Sequence, residues 1–108
     1  MKSAKSTLKN EFKLKQKALN ALKKVIDPEI GANIVDLGLI YDIKVNEDSI
    51  NVLMTLTYIA CPLGSFLMFE VEDKLKKAGF KNVNVSLTFD PPWTPERMSE
   101  KLRKKFGI

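Results

Sequence analysis

Apolar residues recur along this chain at two different periods, and the places where the period changes divide it into elements. From Phe12 onward, Ala18, Leu19, Leu22, Val25 and Ile26 fall at helical spacing with lysines on the other side, which predicts an amphipathic helix. It should stop before "DPEIG", because Pro28 disfavours the α conformation at Asp27 and Gly31 permits a turn soon after. The pattern then becomes alternation. In "LIYDIKV", Leu39 to Val45, the residues Tyr41, Ile43 and Val45 share one face and Asp42 and Lys44 the other. After the polar turn "NEDS", the run "INVLMTLTY" sets Ile50, Val52, Met54 and Leu56 against Asn51, Leu53, Thr55 and Thr57, so the two strands predict a hairpin.

Helical spacing returns in "PLGSFLMFEVEDKLKKAGF", where Leu63, Leu67, Val71 and Leu75 form a stripe with Phe66 and Ala78 beside it, and Gly79 is the expected stop. Met68 and Phe69 fall off that stripe, either as a second buried side or as a shoulder that meets a partner. A third strand follows, with Val83, Val85, Leu87 and Phe89 alternating with Asn84, Ser86 and Thr88. The last segment predicts a helix capped by Thr94, with Pro95 first, Glu96 in its first turn, and Met98, Leu102 and Phe106 turned inward. The order α-β-β-α-β-α defines an α+β fold: a compact two-layer domain with a small mixed sheet and helices mainly on one face.

A chain of 108 residues is long enough to stand as one domain on an ordinary core. The net charge of +5 is unevenly placed: residues 1 to 24 hold eight lysines against Glu11, and the remainder sums to −2. The division expected from this is a basic, flexible arm over residues 1–11 and a single domain over 12–108. No aromatic residue interleaves with the arm's lysines before Phe12, so the arm reads as solvated and nucleic acid is not the expected partner. No stretch has the length and apolarity of a membrane span, and one cysteine makes no internal disulfide, so the cytosol is the expected compartment.

Candidate chemistry is sparse, since the chain has one cysteine and no histidine. Cys61 stands where the second strand ends and the second helix begins, with Pro62 as a natural first helical residue. A thiol at a helix N-terminus is favoured as thiolate, the form that attacks electrophiles and ligates soft metals. The other reading is a small buried hydrophobe. Asp27 and Glu29, in one tight turn, are suited to orienting a thiol or offering oxygen ligands to iron, or simply to capping the turn. In "DPPW" two prolines present Trp93, as a partner anchor or as the lid of a core edge. No constellation is that of a conventional enzyme.

Taken together, "DPEIGANIVDLGLIYDI", "TLTYIACP" and "FDPPWTPERMS" resemble one family, the iron-sulfur cluster assembly domain typified by SufT and the phenylacetate-degradation protein PaaD, over roughly Ala18 to Ile108. The resemblance implies a maturation factor for iron-sulfur proteins, a cluster carrier or adaptor that serves apo-targets. It implies that the reactive cysteine is Cys61, a transient ligand to iron, with Asp27, Glu29 and Thr57 as its neighbours. The implied partners are apo iron-sulfur proteins, other cluster-assembly proteins including P-loop ATPase carriers, and a second copy, since members are commonly dimeric. The alternative is a scaffold without cluster contact, holding partners through Met68, Phe69 and Trp93. Tyr58 and Ala60 depart from the family pattern, in which Thr or Ser and Gly are frequent. A cluster usually takes four protein ligands, so one thiolate cannot cage it alone.

Overall fold

The computed structural model describes residues 4–57 and 63–108, with side chains from residue 10 onward. The expected order is borne out, with a small ribbon added. Helix α1 (Ala4–Leu22) is followed by two short strands, β1 (Ile26–Asp27) and β2 (Ala32–Asn33). Then come β3 (Ile40–Val45), β4 (Ser49–Met54), α2 (Gly64–Lys77), β5 (Asn82–Leu87) and α3 (Glu100–Phe106). β3 and β4 pair antiparallel, β4 and β5 parallel, and the sheet order is β3-β4-β5. A parallel neighbour requires a crossover, which α2 supplies.

Alternation assigns the two sheet faces. Ile43, Ile50, Val52 and Met54 are buried, while Asp42, Lys44, Asn51, Leu53, Asn84 and Ser86 are exposed on the opposite side. Against the buried face pack Ala18, Leu22 and Val25 from the first helix and the turn after it, and Leu67, Val71 and Leu75 from α2. Fully burying each such aliphatic side chain stabilises the fold by roughly 1.5–3 kcal/mol relative to exposure. The hairpin is set by Asn46, whose Oδ1 accepts from the backbone N–H groups of Asp48 (3.2 Å) and Ser49 (2.9 Å) and from the Ser49 hydroxyl (2.7 Å).

Both ends of α1 and the end of β4 differ from the expectation. α1 begins at Ala4, ahead of Phe12, because nothing in "AKSTLKNEFKLK" interrupts a helix. It ends at Leu22, so Val25 is buried from an extended segment and Ile26 is 47% exposed. The Val25 carbonyl there accepts from Ile34 N–H at 3.0 Å, a pairing that a helix would forbid. β4 ends at Met54, after which Thr55 N–H donates to the Leu39 carbonyl at 2.8 Å.

The C-terminal helix is broken in two. Thr94 precedes only a short 3-10 turn, Pro95–Arg97, after which Met98 is extended and α3 restarts. Ser99 is the true N-cap of α3, its Oγ accepting from Leu102 N–H at 3.3 Å. Met98 and Leu102 are buried as expected, but Phe106 is 45% exposed at the last position of α3, not inward. The break arises because Ser99 N–H donates to the Asp36 carbonyl at 2.7 Å, which pulls this residue out of the preceding turn.

Candidate functional site

The turn after β1 is built around a buried carboxylate. Asp27 is 2% exposed, and its Oδ1 accepts from Glu29 N–H at 2.9 Å. Its own carbonyl accepts from Ile30 N–H (3.3 Å) and Gly31 N–H (2.7 Å), closing the turn through Gly31 at φ 79°. Asp27 thus shapes the loop that carries Glu29. Asp27→Ala removes the acceptor and is expected to cost about 1–2 kcal/mol, whereas Asp27→Asn retains an oxygen at that position and should lose less. Urea unfolding midpoints of the two variants measure the difference; equal losses would mean that this hydrogen bond does not hold the turn.

Downstream, Asn33 and Asp36 bind one another reciprocally: Asn33 Nδ2 donates to Asp36 Oδ2 at 2.8 Å, and Asp36 N–H to Asn33 Oδ1 at 2.9 Å. This bend presents successive groups of "DLG" to the C-terminal segment. The Asp36 carbonyl takes Ser99 N–H, the Leu37 carbonyl takes the Trp93 indole N–H at 2.6 Å, and Gly38 lies against the Arg97 backbone. Tyr41 Oη donates to the Pro91 carbonyl at 2.7 Å while the Arg97 guanidinium sits 4.7 Å over the tyrosine ring. A groove of about 450 Å³ opens there, lined by Gly38, Ile40, Tyr41, Pro91 and Arg97. With Thr55 bonded to Leu39, all three segments singled out in the sequence are tied together.

Cys61 lies outside the described residues, as do Tyr58, Ala60 and Pro62. The residues on either side of this stretch are described. Thr57 is half-buried on one side; on the other, α2 starts at Gly64 after Leu63, which makes no side-chain cap. Gly64 is buried so closely that an added Cβ would stand 2.8 Å from Leu56 Cδ1. Met68 is half-buried, while Phe66 and Phe69 are 47% and 65% exposed. Among the described residues no group of His, Cys, Asp and Glu is arranged to hold a metal ion, and no helix is long and apolar enough to cross a membrane.

Sequence reasoning passed over Asn33, Asp36, Gly38 and the Tyr41–Arg97 stack. The Asn-x-x-Asp spacing is a reciprocal side-chain-to-backbone signature of the capping type and was the available signal for the first two. Nothing local marks the Tyr41–Arg97 pair, whose members are far apart in the chain.

These observations define a small α+β domain in which three separated motifs are tied together around one bend. Residues 15–103 match the family described as iron-sulfur cluster assembly protein, and the chain belongs to it. It is 39% identical over 100 residues to the Fe-S protein maturation auxiliary factor YitW of Bacillus subtilis, covering 91% of this chain and 98% of that one. To the Fe-S protein maturation auxiliary factor SufT of Staphylococcus aureus it is 36% identical over 86 residues, 78% of this chain and 98% of the relative. Among solved structures, a hypothetical protein of Thermotoga maritima superposes with a TM-score of 0.76 at 53% identity, covering 87% of this chain and 94% of the other. The likeness to the SufT family read from the three motifs is therefore borne out.

Proposed function

We propose that this chain is a non-enzymatic maturation factor that delivers iron-sulfur clusters to apo-proteins through Cys61, in a reducing compartment such as the cytosol. The observation that carries the reading is the match to YitW over nearly the whole of both chains. The donor inventory is consistent with delivery: a single thiolate with no imidazole leaves most of a four-ligand shell to be supplied by small thiols, an upstream cluster-assembly protein such as a P-loop ATPase carrier, or the client. A cargo held so incompletely exchanges readily. The N-terminus of α2 begins three residues beyond Cys61 in the chain, and the positive end of a helix dipole supports a thiolate. Asp27, through the turn that carries Glu29, and Thr57 at the mouth of the loop are its neighbours in this reading.

The test compares wild type with Cys61→Ser after anaerobic reconstitution, reading iron, acid-labile sulfide and activation of an apo iron-sulfur client. Losing a residue that merely supports a metal ligand costs about 10- to 100-fold in affinity, so loss of the ligand itself should cost at least as much in retention and in activation. The unfolding midpoint should not move. Activation by Cys61→Ser at the wild-type rate would end the thiol reading.

A second reading, a scaffold that holds partners without touching cluster, is favoured by the exposure of Phe66 and Phe69 on α2. Under it Phe69→Ser, and not Cys61→Ser, abolishes client activation. Trp93 is the less suited of the suggested contacts, because its N–H is engaged by Leu37.

A further inference from the structure

The sheet has two edges, and they are treated differently. β3 is protected: its register is irregular between Ile40 and Asp42, it carries Asp42 and Lys44, and α1 packs beside it. β5 lacks the irregular register and the charges, and the helix that packs on it, α2, lies on its core face and not along its edge. "NVNVSL" contains no charge and no proline, and it pairs with β4 in unbroken register from Asn82 opposite Ser49 to Leu87 opposite Met54. Natural edge strands are normally blunted by charge, proline, bulges or a covering element. A regularly paired, uncharged edge of six residues calls for an occupant.

Ladder geometry identifies the groups that face outward. At the two ends of β5, Asn82 N–H donates to the Asp48 carbonyl (3.0 Å) and Thr88 N–H to the Met54 carbonyl (2.9 Å). Alternation along the strand gives Asn84 and Ser86 the same direction, so the N–H and C=O groups of Val83, Val85 and Leu87 point away from β4. Among the described residues no hydrogen bond from a turn, loop or side chain reaches them. Their side chains lie on the core face of the sheet and are only partly covered, Val83 and Val85 half-buried and Leu87 37% exposed.

We propose that this edge is where two copies of the chain meet, β5 pairing antiparallel with β5 about a two-fold axis through Val85, so that two sheets become one. The occupant is a second copy because the strand is complementary to itself. In an antiparallel ladder, outward-facing residues pair with outward-facing residues and exchange two hydrogen bonds. Centring on Val85 uses all of them, setting Val85 against its own counterpart and Val83 against the counterpart of Leu87. On the other face Asn84 meets the counterpart of Ser86. Apolar meets apolar, polar meets polar, and no charges oppose.

The lysine-rich helix α1 packs on α2 and β3, so it does not stand at this edge. A bare strand pair buries less than the about 800 Å² per partner of a standard interface, so the dimer should be concentration-dependent. Where two copies would join is not something the family resemblance states, and the inference does not rest on Cys61 or on the function proposed above.

The experiment exploits the cross-axis pairing of Asn84 with Ser86, both exposed and both replaceable without touching the core. Sedimentation of the full chain at about 100 μM, enough to saturate a dimer of micromolar-order Kd, should show a dimer for wild type. The double variants N84E/S86E and N84K/S86K should each sediment as monomers, because like charges then face one another across the axis. Mixed in equal amounts, they should recover the dimer.

Hydrogen exchange of wild type supplies a readout free of substitution: the Val83, Val85 and Leu87 amides should be protected at high protein concentration and exchange rapidly on dilution. A monomeric wild type at this concentration would overturn the proposal. So would dimers that survive in either charged variant, or outward amides whose exchange ignores concentration, the pattern expected if the edge instead awaits an extended segment of another protein.

Discussion

Gly38→Ala should lower unfolding free energy by roughly 3–5 kcal/mol, a large part of the about 5–15 kcal/mol that holds a domain together. Two separate costs meet at this position. Gly38 has φ 78°, a left-handed conformation that charges an L-residue about 1–2 kcal/mol. Its missing Cβ is also occupied space: one built there would stand 2.7 Å from the Arg97 carbonyl carbon and overlap the carbonyl oxygen. The obstacle is backbone, so it cannot rotate aside. Relief requires the C-terminal segment to move away, and the bonds from Ser99 to Asp36 and from Trp93 to Leu37 would loosen with it.

Gly31 supplies the internal control. Its φ is 79°, nearly the same, but a Cβ there would meet nothing within 4 Å. Gly31→Ala should therefore show only the conformational cost, about 1–2 kcal/mol. Urea unfolding of both variants separates the two contributions by subtraction. Equal losses would show that the C-terminal segment yields freely and that Gly38 is not clamped against Arg97.

The second large effect is expected one residue earlier. Leu37→Ala should cost about 2–5 kcal/mol, the range for truncating a buried leucine, because the side chain is 0% exposed and sits in the main apolar cluster. Its carbonyl is a backbone group, so the Trp93 bond is not deleted, but Trp93 packs against the same apolar cluster that the truncation opens. A drop in the unfolding midpoint, with a red-shifted emission from the chain's one tryptophan in the still-folded protein, would report both consequences. An unchanged midpoint would mean that neighbouring side chains collapse into the space without loss.

These two positions give "DLG" a physical meaning that differs from chemistry. Asp36 and Leu37 receive the C-terminal segment by their carbonyls and Gly38 by the absence of a side chain. These bonds hold the C-terminal segment against the bend between β2 and β3, a structural role in itself. Trp93 belongs to the same scaffold through its indole N–H, which is why its place on a rigid proline loop does not by itself mark a partner contact.

What the sequence alone determined here was set by short-range physics. Period-two alternation in Ile50 to Met54 and Val83 to Leu87 requires strands with one apolar face, and the Leu67, Val71, Leu75 stripe requires a helix, because each is fixed by neighbours a few residues away. The three motifs likewise placed the chain in its family and singled out Cys61. The remaining features depend on groups distant along the chain.

The last helix breaks at Met98 because Asp36 captures Ser99, and Tyr41 leaves the regular ladder to meet Pro91 and Arg97. Asp27 proves to be a buried support of its own turn. The same holds for the β5 edge: alternation names its two faces, but which side of a strand lacks a neighbour is a property of the sheet order alone.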